Sequence, residues 1–232
     1  MGTDVRKLVA DGYPGSNVIG CDLRQEFLDY GYKFYQDKDT CPIHFFASDV
    51  FDVPYPFPAD KLPPPPSSSP PSSVVDDVSS VEALSQLHGS VTHFYTGALF
   101  HLFDESTQYA IALRVATLLK RVPGAVVFGR HQGNEEAGML PDHMARWVLF
   151  FFVQKNTKRG RRVDLALCSR TRYGHSPASW PLMWKKVFSE IESPEFAENH
   201  VKVDAVLTQG FNGHMFMLKG RARMLVWSVS IV

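Results

Sequence analysis

The sequence predicts an α/β protein, a doubly wound sheet with an antiparallel C-terminal edge. Three observations predict it. Short apolar runs alternate with helix-period segments through the first two-thirds of the 232 residues. Two of those runs close on an acid, Asp22 and Asp49. The last third changes to strand following strand, as an antiparallel edge requires.

The elements follow in chain order. Val5, Leu8 and Val9 share one face of a helix over 3–11, which Thr3 or Asp4 can cap and Gly12 can end. Residues 17–22 form a strand centred on the β-branched pair Val18 and Ile19. Phe27, Leu28, Tyr30, Phe34 and Tyr35 place an amphipathic helix over 24–35. A second strand spans 43–49. Residues 54–80 then change composition to Pro and Ser, including Pro63-Pro64-Pro65-Pro66, which reads as an exposed insertion with polyproline character. An SH3 or WW ligand is the alternative reading of that segment. A helix over 80–87, a strand over 91–95, a long helix over 105–121 and a strand over 125–128 continue the alternation. Helix 180–191 is followed by strands at 201–207, 215–218 and 224–229. The turn 219–223 suits a hairpin between the last two strands. No internal repeat is visible. The chain reads as a single domain over 1–232 with an insertion at 54–80 and an atypical one at about 144–172.

Composition narrows the function classes. Lys and Arg total 24 against 24 Asp and Glu, so the chain is no polycation built to hold nucleic acid. A hydrophobic fraction of 44% with 17 Phe supplies a core. Cys21, Cys41 and Cys168 form no CxxC pair, which points to a reducing, cytoplasmic compartment rather than a disulfide scaffold. The longest apolar run, 147–153, is too short to span a bilayer, which needs about 18 residues or more. The first residues lack the apolar stretch of a secretory signal, and Arg6 stands where a myristoylation start has Ser or Thr. The histidines show neither HxxxH nor HExxH spacing, so no metal site is expected.

The chemistry centres on the two acids. In doubly wound sheets, ligands bind beyond the carboxyl ends of the strands. A carboxylate there accepts hydrogen bonds from both hydroxyls of a ribose, and an acid at the next strand end meets an exocyclic amine. Asp22 and Asp49 therefore suit a nucleoside-bearing cofactor. Spacing alone leaves the alternative open that both are strand-end or helix-capping acids.

Several segments extend the reading. They include Gly2-Thr3-Asp4-Val5-Arg6, Gly20-Cys21-Asp22-Leu23-Arg24 and Phe45-Phe46-Ala47-Ser48-Asp49-Val50. Further along come Phe100-His101-Leu102-Phe103-Asp104-Glu105 and Pro123-Gly124-Ala125-Val126-Val127-Phe128-Gly129-Arg130, with a weaker echo at His175-Ser176-Pro177-Ala178-Ser179-Trp180. In order and spacing these resemble the fungal class I S-adenosylmethionine-dependent methyltransferases of secondary-metabolite pathways, often terpenoid or meroterpenoid. The resemblance implies a Rossmann-like methyltransferase fold, S-adenosyl-L-methionine as cofactor and a small-molecule acceptor, methylated on oxygen. It implies that Asp22 binds the ribose with Leu23 beside the adenine, that Asp49 and Val50 flank the adenine, and that Gly2 is the remnant of the loop under the methionine moiety. It places Phe100 and His101 near the methyl donor or the substrate mouth. His101, with a reference pKa of about 6.5, is the candidate general base, or else a packed histidine at a strand–helix junction.

The chain departs from that family in two places. The family's first strand and glycine-rich loop precede the helix at Thr3, and here the sequence starts on their remnant. The expectation is a truncated chain with weakened cofactor binding. The resemblance also lapses over about 144–172, where an apolar run is followed by Lys155, Lys158, Arg159, Arg161 and Arg162. A retained intron translated in frame is one reading of that stretch, and a basic patch for headgroups or nucleic acid is another. The competing functions are a non-catalytic methyltransferase-like remnant acting as a binding or scaffold module and, with no GxGxxG present, a nucleotide-dependent oxidoreductase.

Overall fold

The structure is a computed structural model and describes residues 2–55, 78–140, 172–209 and 223–232. The chain forms two compact units, one of residues 1–92 with 114–121, the other of 93–113 with 122–232.

The first unit is built on two parallel strands, β1 (Ile19–Asp22) and β2 (His44–Ala47), paired from Ile19↔His44 to Asp22↔Ala47. Helix α2 (Gln25–Tyr35) connects them, which is the crossover a parallel pair requires. Helix α1 (Thr3–Ala10) precedes β1. Gly2 starts α1 from the left-handed region at φ 69°, and no side chain caps the helix. The Thr3 hydroxyl instead lies 2.8 Å from the Tyr35 hydroxyl. Gly12 closes the helix as expected, at φ 103° with its N–H on Val9 O.

Arg6 fastens the unit together. Its guanidinium donates to both Asp37 oxygens at 2.6 and 3.1 Å and lies 4.7 Å from the Tyr35 ring centre and 4.8 Å from that of Phe45. Phe45 in turn covers Gly20, where a Cβ would stand 2.1 Å from its ring. The core collects Val18, Leu28, Ile43, Phe46, Leu84, Val115 and Leu118. The expected helix over 80–87 is instead two 3-10 turns, Val78–Ser80 and Leu84–Leu87. Gln86 Oε1 takes the N–H groups of Glu82 and Ala83, which halts the backbone before a full α-turn.

The second unit is a four-stranded mixed sheet in the order β3-β4-β8-β7. Strand β3 (His93–Gly97) runs parallel to β4 (Val126–Gly133), and β8 (Arg223–Ile231) is antiparallel to both β4 and β7 (Val201–Gln209). A parallel portion with an antiparallel C-terminal edge is the arrangement the sequence predicts. One pairing differs. Both edges of β8 are taken, by β4 and by β7, whereas the sequence reading joined 224–229 to 215–218, which lies outside the described residues. A small pair, β5 (Gly138–Met139) and β6 (Tyr173–Gly174), stands apart from the main sheet. Helix α3 (Glu105–Leu118) follows β3, and its residues beyond Leu113 belong to the first unit.

The core of the second unit is aromatic. Helix α4 (Ser179–Ile191) turns Trp180, Trp184 and Phe188 inward, one per turn. Trp180 meets Phe100 at 5.0 Å and Trp227 at 4.9 Å between ring centres. The start of α4 is held reciprocally, for Ser176 Oγ accepts from Ser179 N–H and Ser179 Oγ accepts from Ser176 N–H. Helix α5 (Pro194–His200) has no counterpart in the sequence reading, although its signals are local: Ser193 accepts from Phe196 N–H at 3.0 Å, and Pro194 occupies the first turn.

Candidate functional site

In the first unit the site is set by strand direction. Parallel pairing puts the C-terminal ends of β1 and β2 at the same edge. Asp22 is the last residue of β1, and Asp49 follows the end of β2 by two residues. The Ser48 N–H donates to Asp22 O at 3.1 Å and carries the ladder one step further. Each carboxylate is oriented by its own backbone turn. Asp22 Oδ1 accepts from Arg24 N–H at 3.0 Å, and Asp49 Oδ1 accepts from Phe51 N–H at 2.9 Å. Among the described residues neither Oδ2 accepts a hydrogen bond, so each acid is positioned through one oxygen and presents the other. Both acids are half-buried.

The apolar neighbours lie beside them in sequence. Leu23 is 63% exposed, an apolar surface with nothing covering it among the described residues. Val50 opens the 3-10 turn Val50–Asp52 that Asp49 caps. Phe45 ties Gly2 to the same strand pair, because a Cβ on Gly2 would come within 2.7 Å of the ring that also covers Gly20. The structure thus brings Gly2, Asp22, Leu23, Asp49 and Val50 into one unit, with the two acids at one edge.

Phe100 and His101 belong to the second unit, in the 3-10 turn Phe100–Leu102. That turn follows Ala98, which holds φ 57° and donates its N–H to Arg130 O at 2.8 Å. Phe100 is fully buried among Trp180, Trp184, Trp227 and His131. His101 is 7% exposed and stacks parallel to His131 with 6.4 Å between ring centres. Arg172, itself buried, donates to His101 O at 3.1 Å and to Gln132 Oε1 at 2.9 Å. Burial, and then the Arg172 charge, depress the His101 pKa to about 4. His101 is therefore neutral at physiological pH, with a lone pair available but little basicity.

Two further histidines join it, neither of them singled out by the sequence. His131 Nδ1 accepts from Trp227 Nε1–H at 2.9 Å, and burial followed by the neighbouring His101 and His175 lowers its pKa to about 3. His175 Nδ1 lies 2.9 Å from Ser179 Oγ, and burial lowers its pKa to about 4. The signal for His131 was present, since it continues the inward alternation Val127, Gly129, His131 of β4. For Arg172 no sequence signal existed. Among the described residues no group of three or more His, Cys, Asp or Glu is placed to hold a metal ion, and no helix is long and apolar enough to cross a membrane.

A parallel strand pair joined by a crossover helix, with an acid at or just past the end of each strand, defines an α/β unit. Comparison with known proteins narrows this. The chain is 28% identical over 190 residues to "O-methyltransferase phiE" of a fungal species, covering 82% of the chain and 47% of that protein. It is 31% identical over 175 residues to "Methyltransferase adrK" of Penicillium roqueforti, covering 71% and 54%. It is 25% identical over 216 residues to "Asnovolin E/Chermesin D methyltransferase nvfJ" of Aspergillus novofumigatus, covering 93% and 60%. The chain is similar in sequence to these fungal methyltransferases, and it spans about half the length of the relatives it matches. Among solved structures, PigF with SAH superposes at a TM-score of 0.48 with 12% identity, covering 100% of this chain and 53% of that one. No protein-family model matches.

Proposed function

We propose that the chain is a methyltransferase-like domain that binds S-adenosyl-L-methionine through its first unit and serves O-methylation of a small-molecule secondary metabolite. The observation that carries this reading is the placement of Asp22 and Asp49 at one edge of a parallel strand pair, each oriented through Oδ1. The residues present fit the cofactor. Asp22 offers a carboxylate for the ribose hydroxyls, the exposed Leu23 offers an apolar face to the adenine, Asp49 and Val50 flank it, and Gly2 admits close approach of backbone. When bound, the cofactor supplies an electrophilic methyl group on a sulfonium. The chain's own task is then positioning, because in-line alignment accounts for much of the acceleration open to such a displacement.

In this reading Phe100 and His101 serve the acceptor. With a pKa near 4, His101 is neutral and offers a ring-nitrogen lone pair to the hydrogen of an acceptor hydroxyl. Removal of a proton in the transition state would fall to it only weakly, since a base works best with a pKa near the working pH. The alternative reading is a methyltransferase-like binding or scaffold module without activity of its own. Calorimetric titration with S-adenosylmethionine tests the proposal. Saturable micromolar binding supports it, whereas a folded chain that gives no heat contradicts it and leaves the binding-module reading.

A further inference from the structure

We propose that the outer edge of β7 joins a second copy of this chain, the two β7 strands pairing antiparallel about Val203 so that the two four-stranded sheets run on as one. Strand β7 closes one side of the order β3-β4-β8-β7, and among the described residues no strand lies beyond it. It spans nine residues, Val201–Gln209, against a usual length of about five or six. Its ladder with β8 runs from Val201↔Ile231 to Gln209↔Arg223 without a skipped residue, so no bulge turns the edge aside. Neither proline nor glycine interrupts 201–209.

The register shows which backbone groups point outward. Ile231 N–H donates to Ala125 O, and Gly124 N–H donates to Ile231 O, both at 2.9 Å. Odd-numbered residues of β8 therefore face β4. Val232 N–H donates to His200 O at 2.9 Å, so the even-numbered ones face β7. Opposed residues of an antiparallel pair share this alternation. Lys202, Asp204 and Val206 stand opposite Ser230, Ser228 and Val226 and commit their backbone groups to β8. Val203, Ala205 and Leu207 turn theirs outward. Their side chains are only half-buried, whereas those opposite them on β8, Val229, Trp227 and Leu225, are at most 3% exposed. The covered face of the sheet is thus left unfinished along this edge.

Charge selects a second copy as the occupant and sets the register. Lys202 and Asp204 lie on one face of β7, with side chains 64% and 57% exposed. A two-fold axis at Val203 puts Lys202 opposite Asp204 of the partner subunit, and Asp204 opposite Lys202 of the partner subunit. Both pairs fall between the hydrogen-bonded ones, where opposed Cα atoms are about 4.5 Å apart and side chains meet most closely. The hydrogen-bonded pairs are then Val203 with its own copy and, on either side, Val201 with Ala205. Moving the axis one residue, to Lys202 or Asp204, sets like charges face to face. An axis at Ala205 sets Asp204 against Val206 and forms no ion pair. Val203 gains apolar cover from its copy in the first register.

Sedimentation velocity of the full chain, run without methyl donor over a range of micromolar concentrations, tests this. The expected result is a monomer–dimer equilibrium that shifts with concentration and tightens at low salt. Lys202→Asp and Asp204→Lys, each alone, oppose like charges twice across the axis and are expected to weaken the dimer about tenfold. The double variant restores opposite charges and is expected to recover wild-type affinity, which damage to the fold does not allow. Val203→Pro removes an N–H aimed away from β8 and is expected to leave the chain monomeric with its circular dichroism spectrum unchanged. A chain that stays monomeric throughout, leaving the edge to some other occupant, overturns the proposal. So does a dimer that the single charge reversals leave intact.

Discussion

The indole Nε1–H of Trp227 donates to Nδ1 of His131 at 2.9 Å across the β8–β4 ladder, inside the aromatic core of the second unit. This bond fixes the tautomer of His131 with its hydrogen on Nε2. Both rings are almost fully buried, at 3% and 1% exposure, so losing either partner leaves a polar atom without water. Trp227→Phe preserves most of the packing and removes the donor. It should destabilise the protein by about 2 kcal/mol, the cost of an orphaned buried acceptor plus lost contacts. Urea denaturation with an unchanged m-value checks it.

Stability should fall steeply in mild acid. His101, His131 and His175 have pKa values near 4, 3 and 4 in the folded chain, against about 6.5 when unfolded. Below pH 6.5 the unfolded state takes up protons that the native state refuses. The stability they contribute is fully present above pH 6.5 and is lost as pH falls toward 4. Each histidine adds a slope approaching about 1.4 kcal/mol per pH unit within that window. Chemical denaturation at pH 7, 6 and 5 reads it, and His131→Leu should remove close to one proton from the slope.

Arg172→Met should raise the His101 pKa. The guanidinium is the charged neighbour that, after burial, holds the imidazole neutral, and it also donates to His101 O. An upward move of the His101 titration by NMR, with a stability loss of about 1–3 kcal/mol from the broken bonds, is the expected result.

Ala98→Gly should stabilise the protein. Ala98 stands at φ 57°, where an L side chain costs roughly 1–2 kcal/mol, partly offset by the added freedom of glycine in the unfolded chain. A rise in melting temperature of a few degrees, with the Ala98 N–H to Arg130 O bond retained, checks it.

Much of the fold was legible because its signals are local. Val18 and Ile19 marked β1, the apolar spacing of α2 survived intact, and Gly12 ended α1 where left-handed backbone was required. The elements that differ depend on partners distant in sequence. Gln86 side-chain bonding replaced a helix with 3-10 turns, and β8 paired with β4 and β7 because the sheet offered both edges. At the site, Asp22 and Asp49 were readable because a strand end is a position in the sequence. Arg172 was not, since its role lies in reaching His101 O and Gln132, 71 and 40 residues away.

The most direct test compares S-adenosylmethionine binding by the wild-type chain and by Asp22→Ala in isothermal calorimetry. The account predicts saturable binding that weakens about 100-fold in the variant, the worth of one or two charge-assisted hydrogen bonds, with the circular dichroism spectrum unchanged. Equal affinity of the two proteins for the cofactor would contradict the claim that the β1–β2 edge holds the methyl donor.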